Sequence, residues 1–187
     1  MLFIPTLIPD VKVIETTPFT DDRGFFERRF CCNEFSAAGV SFSIAQINRS
    51  MSKVCGTVRG LHFQIAPKSE MKIVQCLKGR VFDVAVDIRV NSPTFLKWHA
   101  EILSPDNGKS LCIPHGCAHG FQTLEENSEV LYFTDEFYSP QHEKTLHYAD
   151  PAADIAWPLP VTVVSKKDNE APVARMIFAS LNPMLPT

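Results

Sequence analysis

The chain has 187 residues, 45% of them hydrophobic and 21% charged, with a formal net charge of −3. One domain running from 1 to 187 is the economical expectation at this length, and roughly 70% of its surface can be buried on folding. A mildly acidic balance with no basic stripe disfavours binding to nucleic acid or to anionic membrane through bulk charge; a few placed arginines would suffice to hold a phosphate-bearing small molecule.

The opening M-L-F-I-P-T-L-I-P-D is apolar, but it has no basic leader, and Pro5, Pro9 and Asp10 interrupt it. It does not read as a signal peptide, and no other stretch approaches a membrane span, so the cytoplasm is the default location. N-E-F-S-A-A-G suggests a short helix near residue 35, and another is expected near the C-terminus. Residues 71 to 88, M-K-I-V-Q-C-L-K-G-R-V-F-D-V-A-V-D-I, hold two runs rich in β-formers around Lys78-Gly79-Arg80, which predicts a hairpin. In the second run Phe82, Val84, Val86 and Ile88 share one face, and Val81, Asp83, Ala85 and Asp87 the other. Short apolar runs follow at 95–103, 110–114, 120–124 and 129–138, separated by turn formers such as Ser104-Pro105-Asp106-Asn107-Gly108. Many short strands and few helical patterns predict an all-β sandwich or small barrel, with Pro-rich arms at both ends. The six cysteines form no C-x-x-C pair and read as buried, reduced thiols.

Two spacings carry chemistry. Gly56-x5-His62-x-Gln64 precedes the turn at Gly79, and Gly108-x5-Pro114-x-Gly116-x2-His119 comes later. Together they resemble the two signature motifs of cupins, double-stranded β-helix or jelly-roll barrels. Metal-binding cupins carry H-x-H and a following glutamate in the first motif. Here the second histidine is Gln64, and no carboxylate stands where the glutamate falls. Two imidazoles alone are a poor site for a divalent ion, so no metal is expected.

A narrower resemblance rests on D-D-R-G-F-F, T-V-R-G-L-H-F-Q, K-G-R-V-F-D-V-A-V-D-I-R, S-P-T-F, I-P-H-G-C-A-H-G-F and S-K-K-D, in order over about residues 8 to 172. The chain resembles dTDP-4-dehydrorhamnose 3,5-epimerase and its sugar-nucleotide epimerase relatives. The resemblance implies a cupin-like jelly roll with a few short helices, probing a nucleotide-linked 4-keto-6-deoxyhexose without a cofactor. Carbons 3 and 5 of that sugar flank the ketone, so their hydrogens are acidic. A base removes one from one face, the C4 oxygen becomes an enolate, and an acid returns a proton from the other.

By that resemblance His62 is the base, a residue type that titrates near neutrality. Asp168 is its carboxylate partner, Lys72 faces the enolate oxygen, and Tyr132 is the general acid. Asp83 and His119 match an inward polar pair that supports or orients substrate. Arg23, Gln46, Asn48, Arg59, Glu143, Tyr138 and Lys167 match positions at the nucleotide, with Tyr138 stacking on the base and the arginines suited to a diphosphate. Tyr132, Thr134, Glu136 and Tyr138 share strand parity, so both tyrosines are expected to line one cavity. Taken singly, Asp168 in a polar K-K-D-N-E run reads as a solvated loop residue, and Lys72 as a lysine on an exposed face. The family also implies a homodimer, with an N-terminal segment reaching into the neighbouring subunit.

Several positions depart from the family pattern. Arg28 stands where it has a glutamate, with Glu27 one place earlier; Ile47 and Arg49 flank Asn48; Cys112, His115 and Cys117 replace a tryptophan, a glutamate and a phenylalanine. The proton-transfer set is intact while the nucleotide side is altered, so the base and the sugar are left open, as is inversion at C3, C5 or both. A related-fold 3,4-ketoisomerase and a non-catalytic sugar-nucleotide-binding cupin remain as alternatives.

Overall fold

The structure, a computed structural model, describes residues 1–179. The tail from 180 to 187, and with it the end of the expected C-terminal arm, lies outside the described residues. Thirteen strands, three short α-helices and one 3-10 turn (Pro105–Asn107) follow one another along this span. They are β1 (Leu2–Pro5), β2 (Lys12–Glu15), β3 (Phe19–Asp21), β4 (Gly24–Phe26), α1 (Cys32–Ala37), β5 (Gln46–Ser52), β6 (Val58–Gln64), β7 (Lys72–Lys78) and β8 (Val81–Asp87). After these come β9 (Trp98–Leu103), β10 (Lys109–Ile113), β11 (Cys117–Thr123), β12 (Ser128–Thr134), β13 (Glu143–Thr145), α2 (Lys166–Asn169) and α3 (Ala174–Phe178).

Two sheets hold most of the strands, in the orders β1-β2-β10-β7-β12-β5 and β13-β6-β11-β8-β9; β3 and β4 form a separate ribbon. This double-sheet arrangement is mostly β with a few short helices, as predicted. The hairpin expected across Lys78-Gly79-Arg80 does not form. β7 pairs with β10 and β12, while β8 pairs with β9 and β11 in the other sheet, so the turn carries the chain from one sheet to the next. The local signal was the same in either case: Gly79 has φ +70, and an added Cβ would lie 2.5 Å from Ser128 Oγ. Both runs are buried along most of their length, and each is enclosed on both edges by strands from elsewhere in the chain, β10 and β12 for β7 and β9 and β11 for β8.

Three apolar layers result. Val13, Val74, Cys76, Leu111 and Val130 of the first sheet meet Val81, Ala85, Leu103, Cys117 and Phe121 of the second. Outside the second sheet, Leu61, Phe63, Val84 and Val86 are covered by Leu146, Ile155, Ala174 and Phe178. Outside the first, Ile14, Ile73, Cys112 and Phe133 pack on Phe35, Val40 and Phe42 of α1 and its following loop. The predicted parity of β8 holds: Val81 and Ala85 face the inner layer, Val84 and Val86 the outer one.

All six cysteines are free. Burial pushes the Cys76 thiol up to about 11 and those of Cys112 and Cys117 up to about 12, which leaves them unreactive. The other three are less enclosed than expected, and Cys32 is exposed at the start of α1. Among the described residues no helix is long and apolar enough to cross a membrane.

Candidate active site

The inner space between the sheets is apolar at one end and opens at the other into a cavity of about 230 Å³. Its walls come from strands whose register puts polar residues in rows. On the first sheet, Gln46 of β5 is opposite Thr134 of β12, which is opposite Lys72 of β7. The next inward row sets Asn48 opposite Tyr132. On the second sheet, His62 of β6 is paired directly with His119 of β11. All of these side chains line the cavity, together with Arg59, Tyr138 and Glu143.

Arg59 reaches the same side as His62 although it lies an odd three positions before it. The β6–β11 register slips by one residue between the pairs His119↔His62 and Phe121↔Arg59, which reverses the alternation. Gly60 occupies the slip with φ +125, and an added Cβ would lie 2.6 Å from Gly120 Cα. Only glycine fits that close approach. Arg59 then donates to Ser52 Oγ at 3.0 Å and to the Met51 carbonyl at 3.1 Å.

Each histidine has its own aspartate. His62 Nε2 lies 2.7 Å from Asp168 Oδ1, with 34% of its side chain exposed, and Asp168 is almost fully enclosed. Asp168 is the third residue of α2, whose N-cap Ser165 accepts a bond from the Asp168 amide at 3.1 Å. Its second oxygen accepts from the Gly60 amide at 3.2 Å. Burial pushes the Asp168 carboxyl up, but the His62 hydrogen bond and charge, with the Gly60 and Ser165 contacts, outweigh it and hold the group below the usual aspartate value. The solvated-loop reading of K-K-D-N-E therefore fails; S-x-x-D, a helix-capping spacing, was the local signal.

His119 Nε2 lies 2.8 Å from Asp83 Oδ1. Asp83 has no exposed surface, and its Oδ2 has no hydrogen-bond partner among the described residues. Burial raises its carboxyl, against the charges of His119 and Lys72. Asp83 and Asp168 thus stand behind the histidines rather than in the cavity wall.

Tyr132 is raised above the ordinary phenol value, first by burial and then by the charge of Glu70, so its hydroxyl stays protonated through the neutral range. Lys72 is buried, lies 3.4 Å from the His62 carbonyl and forms an ion pair with Glu70 at 2.8 Å. Glu70 lines the cavity and was not singled out in the sequence, because it lies outside every strand pattern.

The loop face differs from expectation. β12 ends at Thr134, so strand parity does not carry on to Tyr138. Glu136 turns away to Lys68 at 3.2 Å, while Tyr138 reaches the cavity mouth from a loop, its hydroxyl donating to Glu143 Oε2 at 2.9 Å. Lys167 pairs with the other Glu143 oxygen at 2.7 Å but does not itself line the cavity. Gln64, the residue in place of a second histidine, is a clasp. Its amide donates to the carbonyls of Lys68 and Phe137 at 2.8 and 3.2 Å, and its carbonyl accepts from the Ser139 amide at 2.6 Å. Among the described residues no cluster of three or more His, Cys, Asp or Glu is placed to hold a metal ion.

Arg23 is not brought to this cavity. It sits at the tip of the β3–β4 ribbon with 89% of its side chain exposed, paired with Asp21. The departures from the family pattern also lie elsewhere. Arg28 pairs with Glu34, Arg49 with Glu129, and His115 with Asp135; Ile47 points outward, and Cys112 and Cys117 are core residues. The expectation that they alter the nucleotide side of the site finds no contact within this cavity.

The sequence profile of the family described as dTDP-4-dehydrorhamnose 3,5-epimerase matches residues 5–175. The chain is 43% identical over 173 residues to a dTDP-4-dehydrorhamnose 3,5-epimerase of Sinorhizobium fredii, covering 92% of this chain and 89% of that one. It superposes with a TM-score of 0.89 and 41% identity on the Bacillus anthracis enzyme of that name, solved with TDP and PPi bound, over 92% of this chain and 98% of that one. The Legionella pneumophila dTDP-6-deoxy-D-glucose-3,5-epimerase, solved in complex with dTDP-4-keto-L-rhamnose, gives 0.90 at 39% identity over 100% and 99% of the two chains. With its paired histidines, its inward tyrosine and lysine, and this similarity along nearly its whole length, the chain belongs to the dTDP-4-dehydrorhamnose 3,5-epimerase family and is an epimerase.

Proposed function

We propose that this chain inverts a carbon next to the C4 ketone of a dTDP-linked 4-keto-6-deoxyhexose, with His62 as base and Tyr132 as acid. One observation carries the reading: the two groups stand on opposite sheets and face one cavity. Inversion requires a proton to leave one face of the ring and another to arrive at the opposite face, and two facing walls supply that. His62 takes the hydrogen from carbon as a proton, and the C–H electron pair moves into the ring to form the enolate. Asp168 holds the imidazole and stabilises the imidazolium. The Lys72 ammonium faces the oxyanion, a role worth roughly 3 to 4 kcal/mol for comparable donors. The phenol of Tyr132 then gives its proton to the other face, and the ketone re-forms. His119, held from behind by Asp83, orients the ring by hydrogen bonding.

Arg59, Gln46, Asn48, Tyr138, Glu143 and Lys167 surround the mouth and would hold the nucleotide and diphosphate. Arg23 is assigned to the cavity of a second copy. Phe19, Phe25 and Phe26 on its ribbon are each about 70% exposed, an apolar surface that supports burial against another subunit of a homodimer. The free cysteines support a reducing, cytoplasmic setting.

The test is incubation of the enzyme in deuterated water with dTDP-4-keto-6-deoxyglucose, read by NMR and mass. Label is expected at each inverted carbon, which also counts the carbons that invert. In Tyr132→Phe, label is expected to enter with retention while inversion falls about a hundredfold. Inversion without label, or a ketone moved along the ring, would overturn the reading.

A further inference from the structure

Glu70 is an acidic side chain placed where the proposed chemistry develops negative charge. Its carboxylate and the Lys72 ammonium are 2.8 Å apart, with 12% and 9% of their side chains exposed. Both line the cavity. The backbone beside Glu70 is fixed, because the Met71 amide donates to Asp135 Oδ1 at 2.7 Å and the Asp135 amide to the Met71 carbonyl at 3.3 Å. The pair is thus held from both ends, at the loop and at the first residue of β7.

A lysine is a point charge on a flexible four-carbon stem. In a cavity that admits a diphosphate, an unrestrained ammonium would be drawn to the strongest anion rather than to a ketone. Among the described residues, the other polar contact of the Lys72 ammonium is the His62 carbonyl at 3.4 Å, too long to fix it. We propose that Glu70 is a positioning residue for the epimerisation: its carboxylate anchors the Lys72 ammonium beside the C4 oxygen and keeps it from the diphosphate. The inference rests on the role given to Lys72 above.

A second consequence reaches Tyr132. The charged and titratable groups lining the cavity with it are Arg59 and His62 from β6, His119 from β11, Lys72 from β7, Glu143 from β13, and Glu70 and Tyr138 from loops. After burial, Glu70 is the largest influence raising the hydroxyl, with Arg59 opposing and Glu143 adding. Removing the carboxylate therefore moves the basic limb of kcat to lower pH, because the acid loses its proton earlier.

The experiment compares Glu70→Gln, Lys72→Gln and the double variant by deuterium wash-in and kcat against pH, with dTDP-4-keto-6-deoxyglucose. Glu70→Gln is expected to lower kcat about tenfold with KM changed less than threefold, and to shift the basic limb to lower pH. In the Lys72→Gln background the same change is expected to have less than a twofold effect, since a residue acting through Lys72 has nothing left to act on. Glu70→Asp, which keeps the charge one methylene shorter, is expected to fall between and serves in place of Glu70→Gln if that variant folds poorly. Unchanged or faster turnover, or an equal loss with and without Lys72, overturns the proposal. Wild-type enzyme that fails to exchange label would instead overturn the underlying function.

Discussion

The strand-borne cavity and the β3–β4 ribbon are built in opposite ways. His62, Lys72, His119 and Tyr132 lie on paired strands, and each of the two histidines is locked by an aspartate 2.7 or 2.8 Å away. Arg23 and the three phenylalanines of the ribbon are mostly exposed and belong to a two-strand sheet that pairs with neither large sheet. Rigid, doubly held side chains suit proton transfer, where misplacement by an ångström is costly. The exposed apolar ribbon with an arginine at its tip does not line the cavity of its own chain; the proposed second copy would give it one. The departures from the family pattern follow the same division, falling on outer faces, loops and core positions rather than among the reacting groups.

The comparison breaks most sharply at His62. His62→Ala is expected to lower turnover by about a thousandfold or more and to stop solvent-label uptake, measured by NMR. If the imidazole only lined the wall, label would still enter. Asp168→Asn keeps the shape but gives His62 an amide in place of a carboxylate, and about a hundredfold loss in kcat is expected. It also probes stability against pH. Because the folded carboxyl titrates below its unfolded value, its contribution is complete above the unfolded value and disappears as pH falls through the folded one. Acid unfolding followed by circular dichroism should therefore lose that component in the variant.

For the ribbon, Arg23→Ala is expected to weaken binding about tenfold while barely changing the fold. Mixing it with His62→Ala sharpens the point. If Arg23 serves a neighbour's cavity, re-equilibrated mixed dimers contain one complete site and, assayed at substrate well below KM, recover roughly a quarter of wild-type activity. Recovery no greater than the sum of the two separate variants returns Arg23 to its own chain. The smallest effect is expected from Gln64→Leu, which leaves three loop groups unpaired. It should destabilise by about 2 kcal/mol in urea unfolding and raise KM several-fold while sparing kcat.

Alternation was enough to place several of these residues. Lys72-Val74-Cys76 and Tyr132-Thr134 each share a face by parity, and that face is the inner one. Arg59 defeats the same logic, since a one-residue slip at Gly60 puts it beside His62 against parity. Asp168 was invisible as a buried group because its neighbours are all polar; contacts from β6, over a hundred residues away in sequence, enclose it. Gln64 illustrates a subtler limit: the missing histidine was legible, but its role as a loop clasp depends on backbone groups of Lys68 nearby and of Phe137 and Ser139 more than seventy residues on.

Local composition, strand periodicity and motif spacing determined that the chain is mostly β, that its histidines do not recur in a metal-binding pattern, and which family it resembles. Those are properties of neighbours along the chain. Tertiary structure decided that Lys78-Gly79-Arg80 joins two sheets instead of closing a hairpin, that Glu70 meets Lys72 inside the cavity, and that Arg23 stands apart from it. Pairing partners and burial are set by which apolar faces find one another in space, and a linear pattern with several equally apolar runs does not specify that choice.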